Sequence, residues 1–408
     1  MTSRLRETFR AFGSRDYRLL WAGAFTSSVG TWMQKVAQSW LVLTVSGSAF
    51  YLGLDGFLGD VPFLAFTLLG GVLADRLDRR RILVVSQAVQ MCAAFALAAL
   101  VATGFVRLWT ILALSFVVGL CQSIGAPAYQ ALVPTLVDRE LVPNAVALNS
   151  IQFNLARVIG PVLAGFAFAT VGAAGCFALN GLSFLAVIAA ILALRTGGGR
   201  PAATHEPVGA SLKAGLDAVA EAPGLSALVG LAFVGSFCSI PLVTFLPVFA
   251  RDVFGQDAKG YSVLLAAFGV GAVAGGVGIA SLGDFRRKGL VALWALVAFG
   301  TATAAFSLSR IAALSYVLLF AAGASLMAVF SLFMTLVQTH VPDELRGRVV
   351  SVYALAFRGG MPLGSLVAGS LSTVVPAPRV LLASGLLLAG AGAAVLLRRS
   401  ADGVASLE

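Results

Sequence analysis

The chain has 408 residues, of which 59% are hydrophobic and 11% are charged, and its formal net charge is +10. Soluble domains carry about 25% charged residues, so this composition excludes a soluble globular fold. The basic residues lie in short clusters between long apolar runs, which is typical of cytoplasmic loops and excludes a nucleic-acid partner.

The apolar runs are long enough to form membrane-spanning helices, which need roughly 20 residues to cross a hydrocarbon core of about 30 Å. The stretch from Val158 to Leu194 carries no charge and is too long for one crossing, so we expect a break at Gly172 and Gly175. The expected fold class is an all-α integral membrane protein with twelve transmembrane helices in two pseudo-symmetric six-helix bundles. The predicted helices lie near residues 18–45, 50–74, 82–104, 108–130, 147–171, 174–194, 224–250, 260–282, 289–309, 311–337, 349–374 and 379–397.

The distribution of lysine and arginine predicts the orientation in the membrane. Of 28 such residues, 20 lie on the side of the two termini, five lie on the opposite side and three lie inside predicted helices. Because cytoplasmic loops carry the excess of positive charge, we expect both termini in the cytoplasm.

A glycine-rich, polar segment in the middle of the chain predicts a boundary between two halves. Leu212, Leu216 and Val219 form an apolar stripe near its end, which indicates an interfacial helix, with a solvated connector as the alternative. The expected domains are a six-helix bundle over 1–195, a cytoplasmic linker over 196–223 and a second six-helix bundle over 224–408.

An internal repeat supports two related halves. Shifted by 204 residues, the loop that begins at Val137 aligns with the loop that begins at Val341, and Gly160 falls on Gly364. Repeated membrane units are typical of secondary transporters, which bind substrate between the repeats.

The end of the second predicted helix carries a glycine, an aspartate and several arginines at fixed spacing. Gly71 and Asp75 share one helix face, where glycine permits close backbone approach and aspartate can meet a helix N-terminus or an arginine. This pattern resembles the signature loop of the major facilitator superfamily, although Asp78 replaces its second glycine. The resemblance implies a conformational switch, formed by Gly71, Asp75, Arg76, Arg79, Arg80 and, in the second half, Asp284.

The fifth predicted helix contains Gly160, Pro161 and Gly165, which resemble the antiporter motif of the same superfamily. Small residues permit close helix packing, and the proline can kink the helix. The earlier glycines of the motif are absent, so antiport and tight packing alone both remain open.

Longer segments are similar to one branch of this superfamily, the bacterial drug, macrolide and siderophore exporters. The resemblance implies export of a small amphipathic organic compound driven by the proton gradient. We further expect a monomer in the bacterial inner membrane, in contact with membrane lipid and without a cofactor. The segments that carry the resemblance are GTWMQKVAQSWLVL, GAPAYQALVPTLV, NAVALNSIQFNLARVIGPVLAG and PDELRGRVVSVYALAF.

Ionisable residues inside the predicted helices mark candidate functional positions, because each costs about 2.5–3.5 kcal/mol at a helix centre. Lys35 and Asp60 are equally far from the turn between the first two helices, so they share one depth and can pair if their faces meet. Asp60 is therefore the leading candidate for proton coupling, with a permanent structural bridge as the alternative and Asp55 as the competing proton carrier.

Polar residues at helical spacing predict faces that contact a cavity or neighbouring helices. Whether these residues bind substrate or hold helices together is left open by the sequence. The substrate-cavity candidates are Thr31, Lys35, Gln38, Asn154, Arg157 and Arg358.

Other classes of function are less consistent with the sequence. A lipid-handling facilitator, such as a lysophospholipid flippase, is the alternative within transport. A membrane enzyme is disfavoured because His205 and His340 fall in predicted loops, and a metal site because the four cysteines form no CxxC pair. The sequence contains no nucleotide-binding P-loop, which argues against ATP-driven pumping. A passive channel is disfavoured by the repeat and by intramembrane charges of both signs.

Overall fold

The computed structural model describes residues 9–195, 208–283, 285–398 and Val404. These residues form twelve α-helices, and the all-α class expected from the sequence is confirmed. The helices are α1 Arg15–Ser46, α2 Ala49–Arg76, α3 Arg79–Ala102, α4 Leu108–Leu132, α5 Val142–Leu192, α6 Val208–Glu221, α7 Pro223–Val248, α8 Ala258–Leu282, α9 Lys288–Leu308, α10 Ala312–His340, α11 Asp343–Leu371 and α12 Ala377–Arg398.

Ten helices in the described ranges are long and apolar enough to cross a membrane. α1 is not among them, because polar residues such as Gln34, Lys35 and Gln38 interrupt its apolar sequence. α5 counts once, although its two helical segments meet at Gly172, where φ is 66° and ψ is −173°. A positive φ favours glycine, so the predicted break at Gly172 is confirmed, whereas Gly175 lies within the helix.

The largest boundary error of the sequence prediction lies at the start of α11. This helix begins at Asp343 instead of near residue 349, with Pro342 at the N-cap position. The acidic residues Asp343 and Glu344 favour a helix N-terminus, because they complement the positive end of the helix dipole. The preceding α10 extends to His340, so this histidine lies at a helix end and the prediction that it lies in a loop was wrong.

The helices fall into two compact units. Unit 1 comprises Met1–Ser46 and Leu58–Ala203, and unit 2 comprises Gly47–Phe57 and Thr204–Glu408. The division therefore passes through α2, and the bundle limits expected at residues 195 and 223 stay a prediction.

In unit 1, α1 packs along both segments of α5. A Cβ atom added to Gly23 would lie 2.9 Å from the Ala186 carbonyl oxygen, and one added to Gly30 would lie 2.6 Å from Asn180 Oδ1. The buried Asn180 amide donates a hydrogen bond to Gln34 Oε1 at 2.7 Å. Small residues and a polar pair thus allow the two helices to approach closely.

In unit 2, α7 packs against α11 through two glycines one helical turn apart. A Cβ atom on Gly360 would lie 2.7 Å from the Phe233 carbonyl oxygen, and one on Gly364 would lie 2.8 Å from Ile240 Cγ2. Gly364 is the position that the sequence repeat aligns with Gly160, which packs against α1 in unit 1. Each glycine therefore contacts a helix of its own unit.

The linker helix α6 packs against the start of α11 within unit 2. A Cβ atom on Gly215 would lie 2.8 Å from the Arg348 carbonyl oxygen. Val219 is 8% exposed and Leu216 is 50% exposed, while the Leu212 side chain lies outside the described residues. The expected helix is present, and its Val219 face packs on protein.

Candidate functional site

Two positively charged side chains lie over one tryptophan ring in unit 1. Lys35 Nζ is 5.0 Å from the centroid of the Trp32 ring, and Arg157 Cζ is 5.5 Å from it. The ring of Phe153 meets the Trp32 ring edge to face, with centroids 6.0 Å apart and an interplanar angle of 69°. We refer to Trp32, Lys35, Phe153 and Arg157 as the cation–aromatic cluster.

Close packing of α1 on α5 positions this cluster. Gly160 lies one turn after Arg157, and a Cβ atom added there would overlap the Trp32 side chain and lie 3.0 Å from the Val29 carbonyl oxygen. Ala156, on the same face, is fully buried. These small residues let Trp32 reach the α5 surface beside Arg157, so the antiporter-like glycine has a clear packing role in this structure.

The cluster lies far from both ends of the helices that carry it. Lys35 precedes Ser46, the last residue of α1, by 11 residues, or about 16 Å of helix. Arg157 lies 15 residues after Val142 and 15 before Gly172, or about 22 Å from each end of that segment. Lys35 is nevertheless exposed. Exposure to lipid would be costly for a lysine at this depth, and the helix end is too far away for its side chain to reach.

The two cations of the cluster repel each other. Both distances are measured to the centroid of the Trp32 ring. The distance between Lys35 Nζ and Arg157 Cζ is therefore at most the sum of the two, 10.5 Å. At that limit the repulsion is about 1.6 kcal/mol for an effective dielectric constant of about 20. The Trp32 ring offsets part of it, since each cation–π contact contributes about 0.5–2 kcal/mol.

The neighbouring polar candidates make helix-to-helix or local hydrogen bonds. Gln38 Nε2 donates to Ser115 Oγ at 2.8 Å, which links α1 to α4. Asn154 Nδ2 donates to the Ser150 carbonyl oxygen of its own helix at 2.9 Å. Thr31 is half-buried. Gln38 therefore connects two helices, which is one of the two roles that the sequence left open. A direct contact with substrate stays a prediction for Thr31 and Asn154.

The acidic candidates Asp55 and Asp60 are both half-buried on α2, but they belong to different units. Asp60 lies in unit 1 two residues before Pro62, and Asp55 lies in unit 2, as does the exposed Arg358. Lys35 contacts the Trp32 ring in this structure. Among the described residues Lys35 makes no ion pair with Asp60, so the pairing expected from their equal depth was wrong for this structure, because equal depth does not make two helix faces meet.

The signature-loop arginines bind carbonyl groups at two helix ends. Arg79 is buried, and its Nη1 donates to the Ala131 carbonyl oxygen at 2.9 Å, near the end of α4. Arg80 Nη1 donates to the Leu194 carbonyl oxygen at 3.0 Å, just after α5. A cation at a helix C-terminus is favoured by the helix dipole. These arginines therefore join the ends of three helices in unit 1.

Other positions of the signature loop have different environments. Asp78, which replaces the family glycine, caps α3 by accepting hydrogen bonds from the backbone N–H groups of Arg80 at 2.8 Å and Arg81 at 3.3 Å. Arg76 is exposed. The side chain of Asp75 and the whole of Asp284 lie outside the described residues.

Two adjacent glycines near the end of α2 have different surroundings. A Cβ atom added to Gly71 would meet nothing within 4 Å, whereas one added to the preceding Gly70 would lie 3.0 Å from Ile124 Cα on α4. The close contact with α4 in unit 1 is therefore made by Gly70, and the role of Gly71 in a conformational switch stays a prediction.

A family model described as transmembrane secretion effector, within the major facilitator superfamily, matches residues 7–405. The chain belongs to this family. It is a membrane transporter of the major facilitator type and not an enzyme, since its relatives and structural neighbours are transporters.

The sequences of three curated relatives align with most of this major facilitator transporter. It is 29% identical over 365 residues to the multidrug efflux pump Tap of Mycolicibacterium fortuitum, covering 87% of this chain and 88% of the relative. It is 21% identical over 376 residues to macrolide efflux protein A of Streptococcus pyogenes, covering 90% and 92%. It is 27% identical over 393 residues to the enterobactin exporter EntS of Shigella boydii, covering 93% and 91%.

Solved structures share the fold. A bacterial homologue of the human lysosomal transporter Spinster matches with a TM-score of 0.72 at 15% identity, covering 93% of this chain and 95% of that chain. A bacterial homologue of the iron transporter ferroportin matches with a TM-score of 0.66 at 16% identity, covering 93% and 98%. At these identities the likeness is one of fold alone.

Trp32 and Phe153 were missed as candidate residues in the sequence of this transporter. Trp32 lies three residues before Lys35, and Phe153 lies four residues before Arg157, so each aromatic residue shares a helix face with a cation. This spacing of an aromatic residue and a cation was the signal available in the sequence, because the face of an aromatic ring attracts a cation.

Proposed function

We propose that this chain exports a small amphipathic organic compound across the bacterial inner membrane by alternating access, in exchange for protons. The proposal assigns twelve crossings, which are the ten apolar helices, α1, and a second crossing by α5 after Gly172. With an even number of crossings, both termini lie in the cytoplasm with the 20 loop cations on that side.

The cation–aromatic cluster is the observation that carries this proposal. It combines charged groups and aromatic surface on one face at mid-helix depth, which is the chemistry that an amphipathic organic compound requires. The exposed Lys35 and the half-buried Trp32 leave part of this surface open to a bound molecule. Relatives that are named as drug, macrolide and siderophore exporters support outward transport.

Proton exchange requires a group that gains and loses a proton during the cycle. Asp60 is proposed for this role because it lies inside α2 in the same unit as the cluster, and Asp55 is the competing candidate. A carboxylate within a membrane helix is costly when ionised, so its proton affinity is sensitive to the access of water and of a neighbouring cation.

Transport in inverted membrane vesicles tests the proposal. Vesicles carrying the protein are energised by respiration, and dissipation of the pH gradient is followed while a macrolide, a catecholate siderophore and a dye cation are added in turn. A coupled exporter should accumulate at least one compound and partly collapse the gradient with it, unlike vesicles without the protein. Movement of a fluorescent lysophospholipid without proton flux would instead favour the lipid-handling alternative.

A further inference from the structure

We propose that Lys35 and Trp32 form a binding subsite for the anionic, aromatic part of the substrate, such as an aromatic carboxylate or phenolate. This inference rests on the proposed function and narrows it to one substrate chemistry. Lys35 would bind the anionic group, and the rings of Trp32 and Phe153 would contact the aromatic body.

The charge of Lys35 is available to a ligand. Among the side chains that the structure describes, Lys35 makes the contact with the Trp32 ring and no hydrogen bond or ion pair. The sequence has four lysines, and the other three lie in α6 or at the first turns of α8 and α9. Lys35 is thus the lysine placed inside a helix at membrane depth, where a binding role offsets the cost of its position.

The charge of Lys35 sets the preference for an anion. Its ammonium lies over the Trp32 ring, so it is near any molecule that contacts this ring. A cationic ligand at the ring would be repelled by Lys35, whereas an anionic ligand would be attracted by it.

The aromatic part of the ligand has a surface to bind. Phe153 is 54% exposed, and it meets Trp32 edge to face. Aromatic ligands favour offset or edge-to-face contacts with such rings. A ring that contacts Phe153 and Trp32 can place an attached carboxylate beside Lys35.

Helix packing alone does not require this cluster. In unit 2 the glycine equivalent to Gly160 is Gly364, and its neighbour on α7 is Ile240 instead of a tryptophan. Val243 lies three residues after Ile240, as Lys35 lies three residues after Trp32. The side chain beside this glycine in unit 2 is thus Ile240, and a valine stands at the position that corresponds to Lys35. Close packing at the glycine therefore requires neither a tryptophan nor a lysine.

Equilibrium dialysis on the purified full chain tests the inference with four probes of matched size. They are naphthoate, its neutral amide, naphthylmethylammonium and the non-aromatic decalin carboxylate. Naphthoate should bind at least about tenfold more tightly than each of the others, because only it satisfies both the charge and the ring surface.

Three variants identify the residues responsible. Lys35→Gln should weaken naphthoate binding about tenfold and leave binding of the amide unchanged, and Lys35→Arg should retain most of the affinity. Trp32→Leu should weaken the binding of naphthoate and of its amide. Lys259→Gln and Trp294→Leu change an exposed lysine and an exposed tryptophan in unit 2, and they should leave all four affinities unchanged.

The inference is overturned if naphthoate binds no better than its amide, if naphthylmethylammonium binds more tightly, or if Lys35→Gln weakens both neutral and anionic probes equally. These outcomes differ from failure of the proposed function, which vesicle transport measures with compounds of any charge. A chain that exports a dye cation but does not prefer naphthoate would remain an exporter without this anionic subsite.

Discussion

Gly160 of α5 lies so close to Trp32 of α1 that a methyl group at residue 160 would overlap the tryptophan side chain. The same methyl group would lie 3.0 Å from the Val29 carbonyl oxygen and 3.1 Å from the Met33 backbone nitrogen. Backbone atoms cannot move aside without shifting a whole helix, so the contact sets the distance between α1 and α5.

Gly160→Ala should therefore destabilise the protein, by about 1–3 kcal/mol if the cost resembles that of overpacking in soluble cores. The measurement is the apparent Tm of the purified variant in detergent. Gly278→Ala is the matched control, because a Cβ atom there would meet nothing within 4 Å and the residue lies in a helix of unit 2. An unchanged Tm for Gly160→Ala would contradict the close contact.

The hydrogen bond between Gln38 and Ser115 should contribute a small coupling energy to the packing of α1 on α4. A double-mutant cycle with Gln38→Leu and Ser115→Ala measures it through the free energy of unfolding. We expect about 0.6 kcal/mol, the average for hydrogen bonds between membrane helices. Gln38→Leu should also leave substrate preference unchanged. If Gln38→Leu changed the substrate preference and the cycle gave no coupling energy with Ser115, Gln38 would be assigned to the substrate site instead.

The sequence predicted helix faces better than it predicted contacts between helices. Helical spacing placed Lys35 and Gln38 on one face of α1, and that is correct for a continuous helix. It could not reveal that Gln38 meets Ser115 on α4, 77 residues away. Such contacts depend on which faces of two helices meet, and periodicity within one helix does not determine that.

The sequence also could not reveal that Lys35 and Arg157 lie over the same ring, because this contact again depends on how two helices pack. Each was a candidate for the substrate cavity because of its charge and depth. Their common partner, Trp32, depends on the absence of a side chain at Gly160 and on the rotamer of the tryptophan. The break at Gly172, in contrast, was predictable because it depends on a local property of glycine, its tolerance of positive φ.

Arg80 should stabilise unit 1 through its bond to the Leu194 carbonyl group. Arg80→Ala leaves this carbonyl at the end of α5 without its cation, and hydrogen bonds to charged groups contribute about 1.5–3 kcal/mol. The variant should show a lower apparent Tm. Arg81→Ala removes an adjacent exposed arginine and should have little effect. An equal decrease of the apparent Tm in the two variants would indicate a general effect of positive charge instead of the specific hydrogen bond from Arg80 to Leu194.

The orientation in the membrane can be tested by cysteine accessibility in intact cells. A cysteine at position 200 should not react with a membrane-impermeant maleimide, because the linker is expected in the cytoplasm. A cysteine at Arg107, which is exposed at the start of α4, should react because it lies on the opposite side. The wild-type chain, with its four native cysteines, gives the background. Labelling at position 200 in sealed cells would reverse the proposed orientation.

The last prediction concerns the coupling of transport to protons. Asp60 is the proposed proton carrier, and an ionised carboxylate inside a membrane helix is stabilised by a nearby cation. When a proton binds, the carboxylate loses its charge and a cation that faced it becomes available to a substrate anion. Asp60→Asn mimics the protonated state permanently, so the proton can no longer be exchanged.

Asp60→Asn should therefore abolish accumulation driven by a pH gradient in inverted vesicles and preserve substrate exchange in the absence of a gradient. Asp55→Asn tests the competing carrier in the same assay. Asp252→Asn is the surface control, because Asp252 pairs with Arg251 at 2.6 Å on the exposed end of the segment after α7. Accumulation at the wild-type level by Asp60→Asn would show that Asp60 does not couple transport to protons. Loss of both accumulation and exchange would indicate a structural role for Asp60, since a carrier that only lacks its proton still binds and moves substrate.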